Sequence, residues 1–418
     1  MKNKKGIIAW AFYDFANSAF TTLVVTFIYA TYFTKSIAVN EISGTVLWSR
    51  AVGLSMFLVA MLSPFLGALV DSWGNRKQLL LVVSLISIVS TALLYFPRTG
   101  QVLFSLSLFV VANVTFELAC VFYNAYLPEL SNEKNIGRIS GYAWSLGYVG
   151  GLLAMFLAMV GFVNPEVPWF GLEKENGENI RATNILVSVW FLFFSLPFFF
   201  FVKERKVHTH IGTFDILKNS FSQILQTFKE IKKHKNIGIF LLARLLYNDG
   251  LVTIFSFGAI YAAGTFDFSF EEIMIFGVVL NITAGLGAFI MGFFDDKWGG
   301  KKTIQLSLFC LIGASLIAVF AQSKSGFWFA GILVGLSIGP NQSASRSLMG
   351  RLVPKEKVNE FFGFFAFSGK LTAFLGPLFL GLITEYFSSQ RAGVSSLLVF
   401  FVLGLFVLRY VDDTKKIT

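Results

Sequence analysis

Cysteine, histidine and charge are all scarce in this chain, and each shortage removes a class of function. Only Cys120 and Cys310 occur in 418 residues, each alone in its own apolar run. That spacing offers neither a disulfide framework nor a thiolate metal cluster, and core packing is their ordinary reading. The three His, at 208, 210 and 234, fall in one segment. Neither a zinc site nor a Ser-His-Asp arrangement can therefore be built in the apolar parts, and we expect no metal, no cofactor and no enzyme. GLGAF at Gly285 to Phe289 has no preceding strand and no phosphate-loop spacing, so its glycines serve helix packing and no ATP-driving domain exists. Charged residues make up 14% of the chain, against about 25% in soluble globular proteins. The apolar runs are long and continuous, without the alternation of a membrane barrel.

What fills the chain instead is hydrophobic: 55% of residues, including 50 Phe. A helix crossing the ~30 Å hydrocarbon core needs about 20 apolar residues. Twelve such runs occur, six between residues 7 and 202 and six between 237 and 411. The fold class is thus an all-α membrane protein of twelve transmembrane helices in two six-helix halves, 1–202 and 237–418. Met1 to Gly6 is basic, but the apolar run behind it is too long for a signal peptide, contains Asp14 and lacks a small-residue cleavage site. It reads as a retained first helix.

With the N-terminus placed inside, most of the 34 Lys and Arg fall on the inner side. Basic residues accumulate in cytoplasmic loops, so a multi-pass protein of the cell (inner) membrane with both termini cytoplasmic is expected. The net charge of +10 is explained by that asymmetry, without a nucleic-acid partner. Residues 203–236 break the apolar pattern. Phe214, Leu217, Phe221, Ile224, Leu225, Phe228 and Ile231 recur there at three-and-four spacing among basic residues, which describes an amphipathic linker helix lying on membrane lipids. A regulatory or partner-binding segment is the alternative.

The stretch GALVDSWGNRKQLL, Gly67 to Leu80, sets an Asp, an Arg and a Lys between two hydrophobic runs, and MGFFDDKWGGKKTIQL from Met291 repeats it. Both follow G-x-x-x-D-x-W-G-x-(R/K)-K at an offset of 225, from Gly67 to Gly292. GYAWSLG at Gly141 and GFFAFSG at Gly363 match at an offset of 222, and Pro128 and Pro354 at 226. Such parallel six-helix repeats belong to transporters whose site lies between the halves.

The loop Gly67 to Lys77 resembles the signature between helices two and three of the major facilitator superfamily, and Gly292 to Lys302 resembles its weaker copy between helices eight and nine. WAFYDFANSAF at the N-terminus, YNDG at Tyr247 to Gly250 and SRSLMGRLVPKEKVNEFFGFFAFSGKLTAFLGP from Ser345 to Pro377 look like the autophagy-related vacuolar effluxer branch and its bacterial relatives. The resemblance implies a secondary transporter, with amino-acid export as the activity attached to the eukaryotic members.

Two sets of residues carry the expected function. Gly67, Asp71, Gly74, Arg76 and Lys77, with Asp296, Gly299, Lys301 and Lys302, read as a gating latch. An acid at such a turn can sit against the positive end of a neighbouring helix, the basic residues can meet acids or lipid phosphates, and glycine permits tight turns and close approach. Plain helix capping is the alternative. The second set is the intramembrane ionisable residues, costly and therefore informative: Asp14, Glu117, Arg244, Asp249 and Lys370. Asp14 shares a helical face with Trp10, Asn17, Ser18 and Thr21, and Glu117 shares one with Asn113, Cys120 and Asn124. With Tyr247, Asn248 and Asn281, these residues are the candidates for binding the solute and a coupling proton or other ion, in a polar cavity between the halves. An acid can carry the proton, and Arg244 or Lys370 can bind a carboxylate. Mutual neutralisation, for example Asp249 with Lys370, is the structural alternative. The expected function is gradient-driven transport of a small solute by a monomer. The alternatives are a transport-inactive receptor or scaffold and an integral membrane enzyme.

Overall fold

The computed structural model describes residues 4–204 and 234–412, and within them all regular structure is helical. Twelve long helices follow one another: α1 Lys4–Ile37, α2 Glu41–Trp73, α3 Arg76–Leu93, α4 Val102–Leu130, α5 Ile136–Val163, α6 Glu178–Phe201, α7 Lys235–Phe266, α8 Glu271–Trp298, α9 Gly300–Phe320, α10 Lys324–Leu352, α11 Val358–Phe387 and α12 Gln390–Leu408. Eleven of them are long and apolar enough to cross a membrane. The remaining one, α10, has 29 residues and a polar second half, SIGPNQSASRS. Part of that polarity is satisfied inside the bundle. Asn341 Nδ2 donates to Ser307 Oγ of α9 at 2.9 Å, and Ser345 Oγ lies 2.7 Å from the Tyr247 hydroxyl of α7.

The described residues form two compact units. Unit 1 holds α1, α3 and α6 with the parts of α2, α4 and α5 that lie in residues up to Met61, Trp73–Tyr123 and from Leu146. Unit 2 holds α7 to α12 together with Leu62–Ser72 and Asn124–Ser145, which are parts of α2, α4 and α5 and the turn between the last two. The linker helix expected over 203–236 lies outside the described residues except at its edges.

Inside unit 1, α1 is clamped on several sides. Trp10 Nε1 donates to the Tyr123 carbonyl of α4 at 3.0 Å, Tyr13 meets Ser84 of α3 at 2.6 Å, and Trp190 of α6 donates to the Phe15 carbonyl at 3.2 Å. A Cβ on Gly150 of α5 would collide with that same Phe15 backbone. Small residues play the same part in unit 2, where Gly287 of α8 sits on the Leu336 carbonyl of α10 and Gly404 of α12 on the Tyr247 backbone of α7. With no hydrophobic drive between helices in lipid, such close approach is what packing relies on.

Two helices are irregular. α1 widens into π-helical turns at Phe20–Phe27 and Phe33–Ile37. α11, expected as one run over 359–384, is two segments, Val358–Lys370 and Leu375–Phe387, joined by a turn. The cause is Pro377, which has no N–H for the Ala373 carbonyl and whose ring crowds it. The latch also differs from the expected short turn. α2 stays helical to Trp73 and α8 to Trp298, so Asp71 and Asp296 sit on last helical turns. Only Gly74 and Asn75 separate α2 from α3, and only Gly299 separates α8 from α9. Gly74 at φ 76° and Gly299 at φ 88° occupy the left-handed region that favours glycine.

Candidate transport site and gate

An acid in the last turn of a helix opposes that helix's own dipole, so the reason for Asp71 and Asp296 must lie on another element. Both reasons are visible within unit 2. Asp71 accepts hydrogen bonds at the start of α11, from the Asn359 N–H at 3.1 Å, from Asn359 Nδ2 at 2.7 Å and from the Glu360 N–H at 2.7 Å. Asp296 accepts at the start of α5, from the N–H groups of Gly137 at 2.8 Å and Arg138 at 3.3 Å and from Arg138 Nε at 2.5 Å. Each acid thus caps the positive end of a helix belonging to the opposite repeat.

The packing beneath the caps is exchanged in the same way. A Cβ on Gly67 would strike the Asn359 carbonyl, and one on Gly292 would meet the Gly137 carbonyl at 3.1 Å. Gly363 lies on the Ser63 carbonyl and Gly141 on the Ala288 carbonyl. Ser63 Oγ also donates to the Gly363 carbonyl at 3.0 Å. The offsets of 225 and 222 seen in the sequence therefore relate contacts as well as residues.

The basic latch residues close helix ends. Lys77 Nζ donates to the Val202 carbonyl beyond α6 at 2.6 Å, and its N–H donates to Glu204 Oε1 at 2.7 Å. In the second copy Lys301, not the aligned Lys302, donates to the carbonyls of Arg409 and Val411 beyond α12, at 2.9 and 2.6 Å. Arg76 is buried. Lys302 is exposed.

Sequence reasoning missed the partners around this latch. Asp295, 1% exposed, receives hydrogen bonds from the Ser347 hydroxyl and from Arg351 Nη1, the latter at 2.5 Å. Arg351 Nη2 also lies 3.9 Å from Asp296 Oδ1. Arg346 of α10 donates through Nε to Ser140 Oγ at 2.9 Å, through Nη2 to the Ser140 carbonyl at 2.8 Å, and through Nη1 to Asn124 Oδ1 at 3.1 Å. The available signal was the mismatch between copies, with Val70 standing where the second copy has Asp295.

The intramembrane candidates fall in both units. In unit 1, Asp14 and Asn17 are buried on α1, and Asn17 Nδ2 reaches Cys120 Sγ on α4 at 3.8 Å, one turn from the half-buried Glu117. In unit 2, α7 sets Arg244, Asn248 and Asp249 against α11, whose first segment ends at Lys370. Arg244 Nη1 donates to the Phe365 carbonyl at 2.6 Å and to Ser368 Oγ at 3.1 Å, with its guanidinium 3.7 Å from the centre of the Phe365 ring. Asn248 Nδ2 donates to the Gly369 carbonyl at 2.8 Å. Asp249 Oδ1 accepts from Thr372 Oγ1 at 3.2 Å, so a hydroxyl in the α11 turn, and not Lys370, is its side-chain partner. Tyr247 points away to Ser345. Asn281 bonds the Gly277 carbonyl of its own helix at 2.8 Å and joins neither group.

Residues 35–418 match the family model described as "Vacuole effluxer Atg22 like". The chain belongs to the Atg22-like family. Among its relatives is an uncharacterized MFS-type transporter, YxiO, of Bacillus subtilis (strain 168), 27% identical and covering 97% of this chain and 94% of that protein. Autophagy-related protein 22 of Saccharomyces cerevisiae (strain S288c) is 23% identical over 86% of this chain and 76% of its own. Solved structures of major facilitator proteins share the fold at low identity. The transporter FucP in the outward conformation gives a TM-score of 0.77 at 13% identity, covering 98% of this chain and 99% of that one. The human organic anion transporter MFSD10 gives 0.75 at 13%, covering 98% and 100%. As an Atg22-like member of the major facilitator superfamily, the chain is a multi-pass membrane transporter of a small solute.

Proposed function

We propose that this Atg22-like chain is a secondary transporter working by alternating access, that it exports amino acids or similar small zwitterions across the cell membrane, and that a cation gradient drives it. The observation that carries this reading is the pair of exchanged caps, Asp71 on α11 and Asp296 on α5. Each is a set of hydrogen bonds at a helix end, which can part without unfolding either helix. A hydrogen bond to a charged group is worth about 1.5–3 kcal/mol, a size that a bound solute can overcome by preferring one access state. The description of the family as an effluxer supports the direction. The charges support the solute class: acids on α1 and α4 for an ammonium group, and a cation on α11 for a carboxylate.

In this reading Asp14, Asn17, Glu117 and Lys370 are the residues that serve the solute. Arg244 and Asn248 hold the first segment of α11 in place, while Tyr247 and Asn281 are supporting residues. The halves are 1–202 and 237–418 with 203–236 as the linker between them, and both termini are cytoplasmic. The distribution of basic residues supports that orientation. The protein works as a monomer. The test is counterflow in proteoliposomes against a panel of amino acids and small anions. Saturable exchange of at least one amino acid, abolished in Lys370→Gln while the variant still folds, is expected; exchange of none of them overturns the reading.

A further inference from the structure

The turn that interrupts α11 faces an acid whose second oxygen has no partner among the described residues. Asp249 of α7 is 2% exposed. Thr372 donates to its Oδ1, whereas its Oδ2 is buried and hydrogen-bonded to nothing among the described residues. The second segment of α11 is pressed against this point, because a Cβ on Gly376 would lie 2.6 Å from the Asp249 carbonyl. No cation within ion-pair distance neutralises the acid among the described residues. Arg244, on its own helix, is turned to Phe365 and Ser368. Lys370, at the end of the first segment of α11, is not its partner, α12 offers the ring of Phe401 beside Gly250, and α10 offers Ser345 to Tyr247.

A buried carboxyl oxygen without a partner is costly unless something occupies it, and Pro377 leaves the Ala373 carbonyl of the adjoining turn without its usual helical donor. Unwound carbonyls in broken transmembrane helices coordinate coupling ions. We propose that Asp249, Thr372 and the Ala373 carbonyl of the adjoining turn form the seat of the coupling cation, a monovalent ion that neutralises the carboxylate: a proton on Oδ2, or Na⁺ held between the carboxylate and the turn. This deepens the proposed cation-driven transport and rests on it for its role, though not for its test.

The test is the thermal unfolding midpoint of the purified full-length chain in detergent. One arm compares NaCl with choline chloride at equal ionic strength and pH 8. The other compares pH 6 with pH 8 in choline chloride. Occupying the seat is expected to raise the midpoint by about 2–4 °C in one arm, with the sodium arm identifying Na⁺ and the pH arm a proton. Asp249→Asn should fold and lose that response, and Thr372→Val should need several-fold more of the cation to reach it. A wild type indifferent in both arms, an Asp249→Asn variant that keeps the response, or an unchanged Thr372→Val overturns the assignment. No transported solute enters the measurement. Failure here therefore leaves the exporter reading standing, and failure to find a transported solute leaves the seat standing.

Discussion

At the end of α2, Asp71 meets the backbone and amide of Asn359 and the N–H of Glu360; at the end of α8, Asp296 meets the backbone of Gly137 and both the backbone and guanidinium of Arg138. The geometry is shared and the surrounding charge is not. Glu360 stands where Arg138 stands in the other repeat, and Val70 where Asp295 stands. The second copy therefore carries an additional buried pair, Asp295 with Arg351, beneath its cap. The helix-end cap is the element both copies keep. The contact the copies share is with the N-terminal N–H groups of α5 and α11, whose partial charge needs no particular side chain.

The largest effect is expected where the copies differ most. Asp295→Val gives the second copy the residue type of the first and leaves the Arg351 guanidinium without its closest carboxylate. Breaking a buried pair costs about 3–5 kcal/mol, and the lower end applies because the Arg351 side chain is 13% exposed. A drop in the unfolding midpoint, largely recovered in Asp295→Val with Arg351→Met, is the expected result. A single variant as stable as the wild type removes the distinction between the copies.

A smaller difference should separate the two glycines at the same place in the motif. Gly67→Ala drives a methyl into the Asn359 backbone, which cannot move without lifting α11. Gly292→Ala meets its neighbours at 3.1 and 3.2 Å, a distance that slight shifts relieve. Overpacking of the first kind costs about 1–3 kcal/mol, and the second should cost under about 1 kcal/mol. Unfolding midpoints of the two variants check the order, and equal losses would contradict the difference in clearance.

Much of the fold was legible in the sequence because membrane helices announce themselves by length and apolarity and because the duplication preserved spacing. The twelve runs, the motif at 67 and 292, and the relation of Gly141 to Gly363 all follow from those signals. What Asp71 touches was not legible, since Asn359 is remote in the chain and nothing local marks it. The polar half of α10 could be read as a helix but not explained, because its partners Ser307 and Tyr247 lie on other helices. The interruption of α11 had a visible cause in FLGP at 374–377. A run judged by hydropathy alone nevertheless passes over a proline that removes one hydrogen bond and changes little in apolarity. The pairing of Asp249 with Lys370, weighed as a structural alternative, followed from opposite charge at similar depth. The structure gives Asp249 the Thr372 hydroxyl instead, because the α11 turn carries that residue across to α7.

The account stands on the claim that the carboxylate of Asp71 holds the end of α2 against the start of α11. Spin labels at positions 72 and 355, with Cys120 and Cys310 replaced by Ser, report the separation of those two segments in reconstituted protein. A short distance should dominate in the otherwise unaltered chain. Asp71→Asn keeps the shape but loses charge-assisted bonds of about 1.5–3 kcal/mol each, so a second, longer distance should become populated roughly tenfold more than before. An unchanged distance distribution in Asp71→Asn would contradict the claim.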